Sequence, residues 1–492
     1  MASPSASLIN SSALSILITF SQRLIGVVSL LILARLLSPG DFAIAALVSI
    51  FIYFFDVLSN FGSEQYIIQK QKLADTDLNT AWSLDILIKT SLFILLIITT
   101  PLIANFYDKF ELMYALIAAS FVLPINSLRN PALFKLKREL NYNGIFWLSL
   151  IQKVSSFLTV VLLAFLYENY WAIIIADLVA SAVFTIGSYL IIKYVPHFSI
   201  AEIKHQWSFS KWMIPKSIVG YLRSQIDTFT VSLLYSQTVL GQYYIARNVA
   251  LLPSHNLLAP AIEPLLAVLK NYRYFPEKMA SHVRLSLYIV GMIVAPLTVF
   301  IYQYPSLLIE TFLGVKWNQT APILGNLAIL AFYFPFLLIL EQYLLAANKL
   351  KQAFYFDIVS LVIIAVGLLM ARNSQIESFA LVRGLLGCFV TFALLIYVNK
   401  FIKLKVIVVV ILTTLCCLIA LGISNLLNIY LPLDDIPTIL KFFITGSVYV
   451  TCYIGIMSGL IFGLSFISAE FAYIKKVISD TLSKTLINKL KR

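Results

Sequence analysis

Apolar runs long enough to cross a lipid bilayer recur about every 20 to 30 residues along this chain, with short polar breaks between them. A helix needs roughly 20 apolar residues to span about 30 Å of hydrocarbon. Inside lipid every backbone amide must be bonded within its own segment, so runs of this kind fold as helices. With 60% hydrophobic and 12% charged residues over 492 positions, the chain reads as an all-α polytopic membrane protein. No connection exceeds about 20 residues, too short for a soluble catalytic domain of roughly 50 or more.

The pattern predicts fourteen spans, at 8–34, 42–62, 80–105, 110–128, 144–167, 169–192, 212–236, 239–268, 285–304, 319–347, 352–371, 375–399, 406–428 and 437–468. An even number puts both termini on one side. Of the 36 Lys and Arg, 24 lie in the even-numbered connections and the C-terminal tail, and 8 lie within spans. The odd-numbered connections hold only Arg35, Lys109, Lys316 and Arg372. Basic loops stay on the cytoplasmic side, so both termini are expected there, in a multi-pass protein of the cell (inner) membrane. The same distribution accounts for the net charge of +13 without nucleic acid as a partner.

A polar, basic connection at 193–211 divides a first lobe of six helices (1–192) from a second lobe of six (212–399). Helices 13 and 14 (400–468) and a basic tail (469–492) follow. The stretch RLLSPGDFAIAAL from Arg35 resembles LLYSQTVLGQYYIA from Leu233 about 200 residues later, as a duplicated six-helix unit would. Such a repeat gives two bundles facing each other across a cleft. Helices 13 and 14 either cover the bundle or serve a partner. In the last span Gly455, Gly459 and Gly463 form a doubled GxxxG face, expected to pack closely on another helix. The tail places Phe471, Ile474, Ile478, Leu482 and Leu486 at helical spacing, which suits an amphipathic helix on the anionic leaflet or a solvated basic tail.

Other chemistry is absent from the sequence. Cys388, Cys416, Cys417 and Cys452 lie in apolar spans without ligand spacing and read as packing residues. No phosphate-binding loop, H-E-x-x-H or G-x-S-x-G motif is present, so no cofactor, metal or covalent catalysis is expected. The N-terminus lacks a basic region and an A-x-A site, so no cleaved signal peptide is expected.

Charge deep in the membrane is the strongest functional signal, because an ionised side chain there costs roughly 3 kcal/mol or more unless it meets water or a partner. Counted from the span ends, Arg23, Lys153, Arg223, Arg247 and Arg383 lie near mid-membrane against Asp177 and Asp227. If they share a cavity, it is net cationic and suited to phosphate oxygens. Arg223 with Asp227 and Asp85 with Lys89 stand at i, i+4 and could instead neutralise each other. Asp177 is a partner for one of the arginines or a proton carrier. His255, between Pro253 and Pro260, reads as a hydrogen-bonded interior residue.

The phrases LILARLLSPGDFAIAAL from Leu31, FGSEQYIIQ from Phe61, NTAWSLDILIKT from Asn79, PLIANFY from Pro101, LKRELNY from Leu136 and LGQYYIARNVALLP from Leu240 together resemble the Wzx-type polysaccharide-export flippases. These belong to the multidrug/oligosaccharidyl-lipid/polysaccharide exporter superfamily, and the likeness is strongest to the branch of exopolysaccharide and teichuronic acid export. That family usually has Gly after the Asp-Phe pair, where this chain has Ala43. The resemblance implies a MATE-like, two-lobed bundle that moves an undecaprenyl-diphosphate-linked oligosaccharide outward by alternating access, for surface polysaccharides such as exopolysaccharide, O-antigen or lipopolysaccharide. It implies that Arg23, Arg223, Arg247 and Arg383 hold the head group, with Lys153 adding field, and that Asp85, Asp177 and Asp227 are candidates for ion coupling. Membrane lipids and the polysaccharide polymerase machinery are the implied partners. Rival readings are a drug or cation antiporter of the same fold, whose deep cavity should be acidic, a membrane-embedded polysaccharide polymerase or ligase, and a flippase of a lipid-linked peptidoglycan precursor.

Overall fold

The structure is a computed structural model describing residues 4–464 apart from 71, 140, 211–212, 403, 405 and 431–435. The amphipathic tail expected at 469–492 lies outside the described residues. Fourteen helical stretches, each overlapping one predicted span, make up the body: α1 (Pro4–Leu36), α2 (Pro39–Ser59), α3 (Asp75–Phe106), α4 (Phe110–Ser120, continued by Val122–Ser127), α5 (Asn143–Tyr167), α6 (Trp171–Ile191) and α7 (Met213–Leu234). Then follow α8 (Gln237–Leu252, continued through Pro253–Leu258 and Ala259–Ile262), α9 (Pro276–Gln303), α10 (Ala321–Ala346), α11 (Leu350–Met370), α12 (Ile376–Asn399), α13 (Val406–Tyr430) and α14 (Thr438–Leu464). Ten of them, namely α2 to α6, α9 to α12 and α14, are long and apolar enough over their described residues to cross a membrane. α1, α7, α8 and α13 do not meet that measure, and α7 and α8 are the two that carry Lys216, Arg223, Asp227 and Arg247. The protein is a multi-pass, all-helical membrane protein.

In the first half α5 packs on α1 and α6, and α4 on α2, α3 and α6. In the second, α10 packs on α9 and α12, and α7 on α11. The halves meet where α2 lies against α7 and α8. α13 packs on α9 and α14 on α13, so the last two helices lie against the second half. Among the described residues the expected GxxxG packing is not formed: a Cβ added at Gly455, Gly459 or Gly463 would meet none of them within 4 Å.

The buried apolar clusters are uneven in a way that positions the site. One runs through both halves at the end bearing the odd-numbered connections, through Leu37, Phe42, Leu116, Tyr170, Leu240, Tyr243, Trp317 and Phe379. At the opposite end, among the described residues, a large cluster lies in the second half with α13 and α14, around Leu287, Leu340, Cys417 and Tyr449, against the small group Ile67, Leu78 and Ala81 in the first half.

The SPGD sequence explains how the halves close at the first of these ends. Ser38 caps α2: its Oγ accepts from Asp41 N at 3.2 Å while its own N donates to Asp41 Oδ2 at 3.0 Å, a reciprocal capping box with Pro39 in the first turn. Asp41 Oδ1 also accepts from Tyr170 N at 3.1 Å, tying in the start of α6. The second half arrives as Gly241, where a Cβ would lie 1.8 Å from the Pro39 carbonyl oxygen. Only glycine permits this approach. Ala43 is fully buried in the same wall. Arg35 Nη2 donates to Thr311 O at 2.7 Å, Lys316 Nζ to Leu37 O at 2.8 Å and Trp317 Nε1 to Ala34 O at 2.6 Å. Arg35 and Lys316, two of the basic residues on this side, thus bond backbone carbonyls across the seam between the halves.

Candidate functional site

Between the halves lies a cavity of about 610 Å³. α1 contributes Gln22, Arg23 and Gly26; α2 contributes Ser49 and Tyr53; α5 contributes Lys153. From the second half come Gln225 of α7 and, on α8, Tyr244, Arg247, Asn248, His255 and Asn256. The spacing of the α8 group, 244, 247, 248, 251 and 255, is one face of a helix. Among the described residues three cations line this space and no Asp or Glu does.

These cations are held differently. Arg247 Nε lies 3.0 Å from Asp227 Oδ2, and its Nη2 donates to Ser224 O at 2.5 Å. Asp227 is 0% exposed, accepts from Tyr243 Oη at 3.1 Å and Thr228 N at 2.9 Å, and lies 3.1 Å from Arg383 Nε. That last contact is an ion pair without hydrogen-bond alignment, since Arg383 Nε finds no hydrogen-bond acceptor; Arg383 Nη1 donates to Tyr333 Oη at 2.8 Å. Arg23 and Lys153 make no ion pair within 4.0 Å among the described residues. Lys153 Nζ lies beside Gly26, 3.8 Å from where a Cβ would stand.

Two of the five expected cationic residues are placed elsewhere. Arg223 does not pair with Asp227; its Nη2 reaches Glu341 Oε1 at 2.8 Å and Asp357 Oδ1 at 3.4 Å, so the i, i+4 spacing on α7 is overridden by carboxylates on α10 and α11. Arg383 is buried behind the wall against Asp227 and Tyr333 and does not line the cavity. Of the three acidic candidates, Asp227 is clamped between two guanidinium groups. Asp85 pairs with Lys89 at 2.9 Å, as its spacing suggested, and both line a separate cavity of about 260 Å³ inside the first half. Asp177 on α6 is exposed, feels the charge of Lys153 and forms no ion pair within 4.0 Å among the described residues.

His255 departs from expectation. Its ring makes no hydrogen bond among the described residues, stacks on Phe334 at 4.2 Å and lines the cavity. It sits in a π-helical turn at Pro253–Leu258, where proline has removed a backbone donor. Sequence reasoning missed the lining residues Tyr53, Tyr244, Asn248, Gln22, Gln225 and Asn256. Gln22 adjoins Arg23, and Tyr244, Asn248 and Asn256 share α8 with Arg247, whereas Tyr53 and Gln225 lie on other helices and carry no such signal.

A second groove, of about 350 Å³, adjoins this cavity on the lipid-facing side. Phe20, Leu24, Val28 and Leu257 line it and are exposed. Arg23, Val27, Leu252 and Asn256 line both spaces. Arg23 therefore stands at the border of a polar, cationic chamber and an apolar slot between α1 and α8.

A profile of the family described as "Polysaccharide biosynthesis protein" matches residues 32–322, more than half of the chain. The chain is a member of that family. It is 25% identical over 311 residues to the "Lipopolysaccharide biosynthesis protein WzxC" of Escherichia coli, covering 62% of this chain and 63% of that protein. To the "Succinoglycan biosynthesis transport protein ExoT" of Rhizobium meliloti it is 23% identical over 301 residues, covering 61% of each. Both alignments span less than two thirds of the relative's length. The fold is that of a solved structure of the lipid II flippase MurJ in an inward closed conformation, with TM-score 0.73, 18% identity and coverage of 91% of this chain and 98% of that one. An inward-facing multidrug resistance MATE family transporter of the MOP superfamily is similar at TM-score 0.57 and 12% identity, over 78% of this chain and 97% of that one.

Proposed function

We propose that this family member is a flippase that moves a diphosphate-linked, polyprenyl-anchored oligosaccharide across the cytoplasmic membrane for polysaccharide biosynthesis. The observation that carries the reading is that Arg23, Lys153 and Arg247 line one cavity free of carboxylates while the same Arg23 borders an apolar groove open to lipid. A diphosphate would meet these cations with charge-assisted hydrogen bonds. Its sugars would meet Tyr53, Tyr244, Asn248 and Gln22, and its polyprenyl tail would lie among Phe20, Leu24 and Val28.

A cation antiporter needs carboxylates on the cavity wall, and among the described residues none lines it: Asp227 lies behind it with its arginines, and Asp177 stands off it. The relatives in lipopolysaccharide biosynthesis and succinoglycan transport support the polysaccharide pathway. Asp177 is the coupling candidate we favour, because it is the acid near Lys153 that no guanidinium holds. With the 24 to 4 distribution of basic residues between the two sets of connections, the sealed end faces outward and the termini lie in the cytoplasm, so the cavity takes its cargo from inside.

The test is to remove the protein and analyse extracted lipids. A lipid-linked glycan with its sugars attached through diphosphate should accumulate and disappear when the wild-type protein is restored. No such accumulation, or accumulation of an unrelated amphiphile, overturns the reading.

A further inference from the structure

The connection from α6 to α7 begins as a strap whose polar side faces inward. Tyr194 Oη donates to Asn79 Oδ1 at 2.8 Å, and His197 N to the same atom at 3.0 Å. Ser199 N donates to Ser83 Oγ at 2.8 Å, Glu202 N to Thr80 Oγ1 at 3.3 Å and Gln206 Nε2 to Asp77 O at 3.0 Å. The first turns of α3 thus satisfy the strap, and Asn130 Nδ2 bonds Ile192 O and Tyr194 O at 3.2 and 3.0 Å. The strap turns three large apolar side chains outward, Val195 72% exposed, Phe198 62% and Ile200 54%, with His197 exposed between the first two. Lys193 and Lys204 are exposed beside them. A loop in water has the opposite arrangement, polar outside and apolar within.

The depth of the strap explains the inversion. α3 has 32 residues, about 48 Å at 1.5 Å per residue, well beyond about 30 Å of hydrocarbon. Its far end is lipid-like, with exposed Ile98, Leu102 and Phe106. Counting back roughly 20 residues from Phe106 puts the near hydrocarbon edge about Leu87. Ser83 is one turn past that edge, and Ser199 is bonded to it. Phe198 and Ile200, on either side of Ser199, therefore stand at the level of the headgroups.

We propose that the strap is an interfacial element that seats Phe198 and Ile200 among the headgroups and upper acyl chains, with Lys193 and Lys204 on the phosphates of anionic phospholipids. Apolar side chains with lysines beside them suit this layer. The first half would then be fixed to the leaflet through α3 while the second moves against it. The inference rests on the membrane-spanning fold and not on the identity of the cargo.

The full chain, with Cys388, Cys416, Cys417 and Cys452 replaced by Ala, would carry Phe198→Cys bearing an environment-sensitive fluorophore, in nanodiscs of phosphatidylglycerol and phosphatidylcholine. Val195→Cys is the second site should the first variant not fold. The expected result is blue-shifted emission, quenched by lipids spin-labelled near the headgroup and not by a soluble quencher. Lys193→Gln and Lys204→Gln should each lower the preference for phosphatidylglycerol at the protein boundary about fivefold, as expected for roughly 1 kcal/mol per lysine at an anionic surface. A water-like emission quenched by the soluble agent overturns the proposal. So does shielding that appears only when cytoplasmic extract is added, which would assign the face to a protein.

Discussion

In the second half of the molecule Arg247 and Arg383 both reach Asp227, and Arg223 reaches Glu341 and Asp357. In the first half Arg23 and Lys153 reach no carboxylate within 4.0 Å among the described residues, although both line the same cavity as Arg247. The difference separates charge used for structure from charge left for a ligand. A buried ion cluster holds helices together because removing one member strands the others without compensation. An unpaired cation in a membrane protein adds no such cohesion and is tolerated because water reaches it. What it can offer is an empty coordination sphere.

The sharpest way to break this comparison is to remove the shared acid. Asp227→Asn leaves two guanidinium groups facing a neutral amide at a fully buried site and should cost about 3–5 kcal/mol, read as thermal unfolding in detergent. A loss below about 1 kcal/mol would mean that Arg247 and Arg383 are not held there. Arg23→Gln and Lys153→Gln should do the reverse. Each should leave unfolding within about 0.5 kcal/mol of wild type and weaken binding of a polyprenyl diphosphate by about 1.5–3 kcal/mol, the worth of a hydrogen bond to a charged group; equilibrium binding to purified protein measures it.

Arg223→Gln tests the comparison from the other side. It should destabilise by about 1–3 kcal/mol, because Glu341 loses its donor and Asp357 its counter-ion, yet leave ligand affinity unchanged since Arg223 is not on the cavity wall. Equal damage to affinity would return Arg223 to the binding site. The smallest effect belongs to Arg23→Lys, which keeps the charge and loses the planar fork. About 1 kcal/mol or less of affinity should go, a loss that competition binding resolves only if Arg23 binds in two-pronged fashion.

The helices were legible in the sequence because lipid leaves little choice: a run of apolar residues has one way to satisfy its backbone, and every predicted span meets a helix. The polar loci were legible in part. Deep charge announced Arg23, Lys153 and Arg247, but not that, of these three, Arg247 alone would meet an acid among the described residues. Spacing on α7 offered Asp227 to Arg223, and tertiary packing gave Asp227 to arginines on α8 and α12 instead. Local periodicity cannot foresee a partner from another helix. SPGD and LGQYY were recognisable as phrases long before their reason was visible: the carbonyl of Pro39 needs the missing side chain of Gly241. Tyr53, Tyr244 and Asn248 were invisible because aromatic and amide residues occur throughout the spans, and only the cavity selects among them.

The central claim is tested most directly by comparing the affinities of undecaprenyl diphosphate and uncharged undecaprenol for the wild-type protein and for the Arg23→Gln/Lys153→Gln double variant. The account predicts that the wild type prefers the diphosphate, that the variant loses this preference by roughly a hundredfold or more, and that the alcohol binds both equally. A variant that folds normally and keeps the wild-type preference would contradict it.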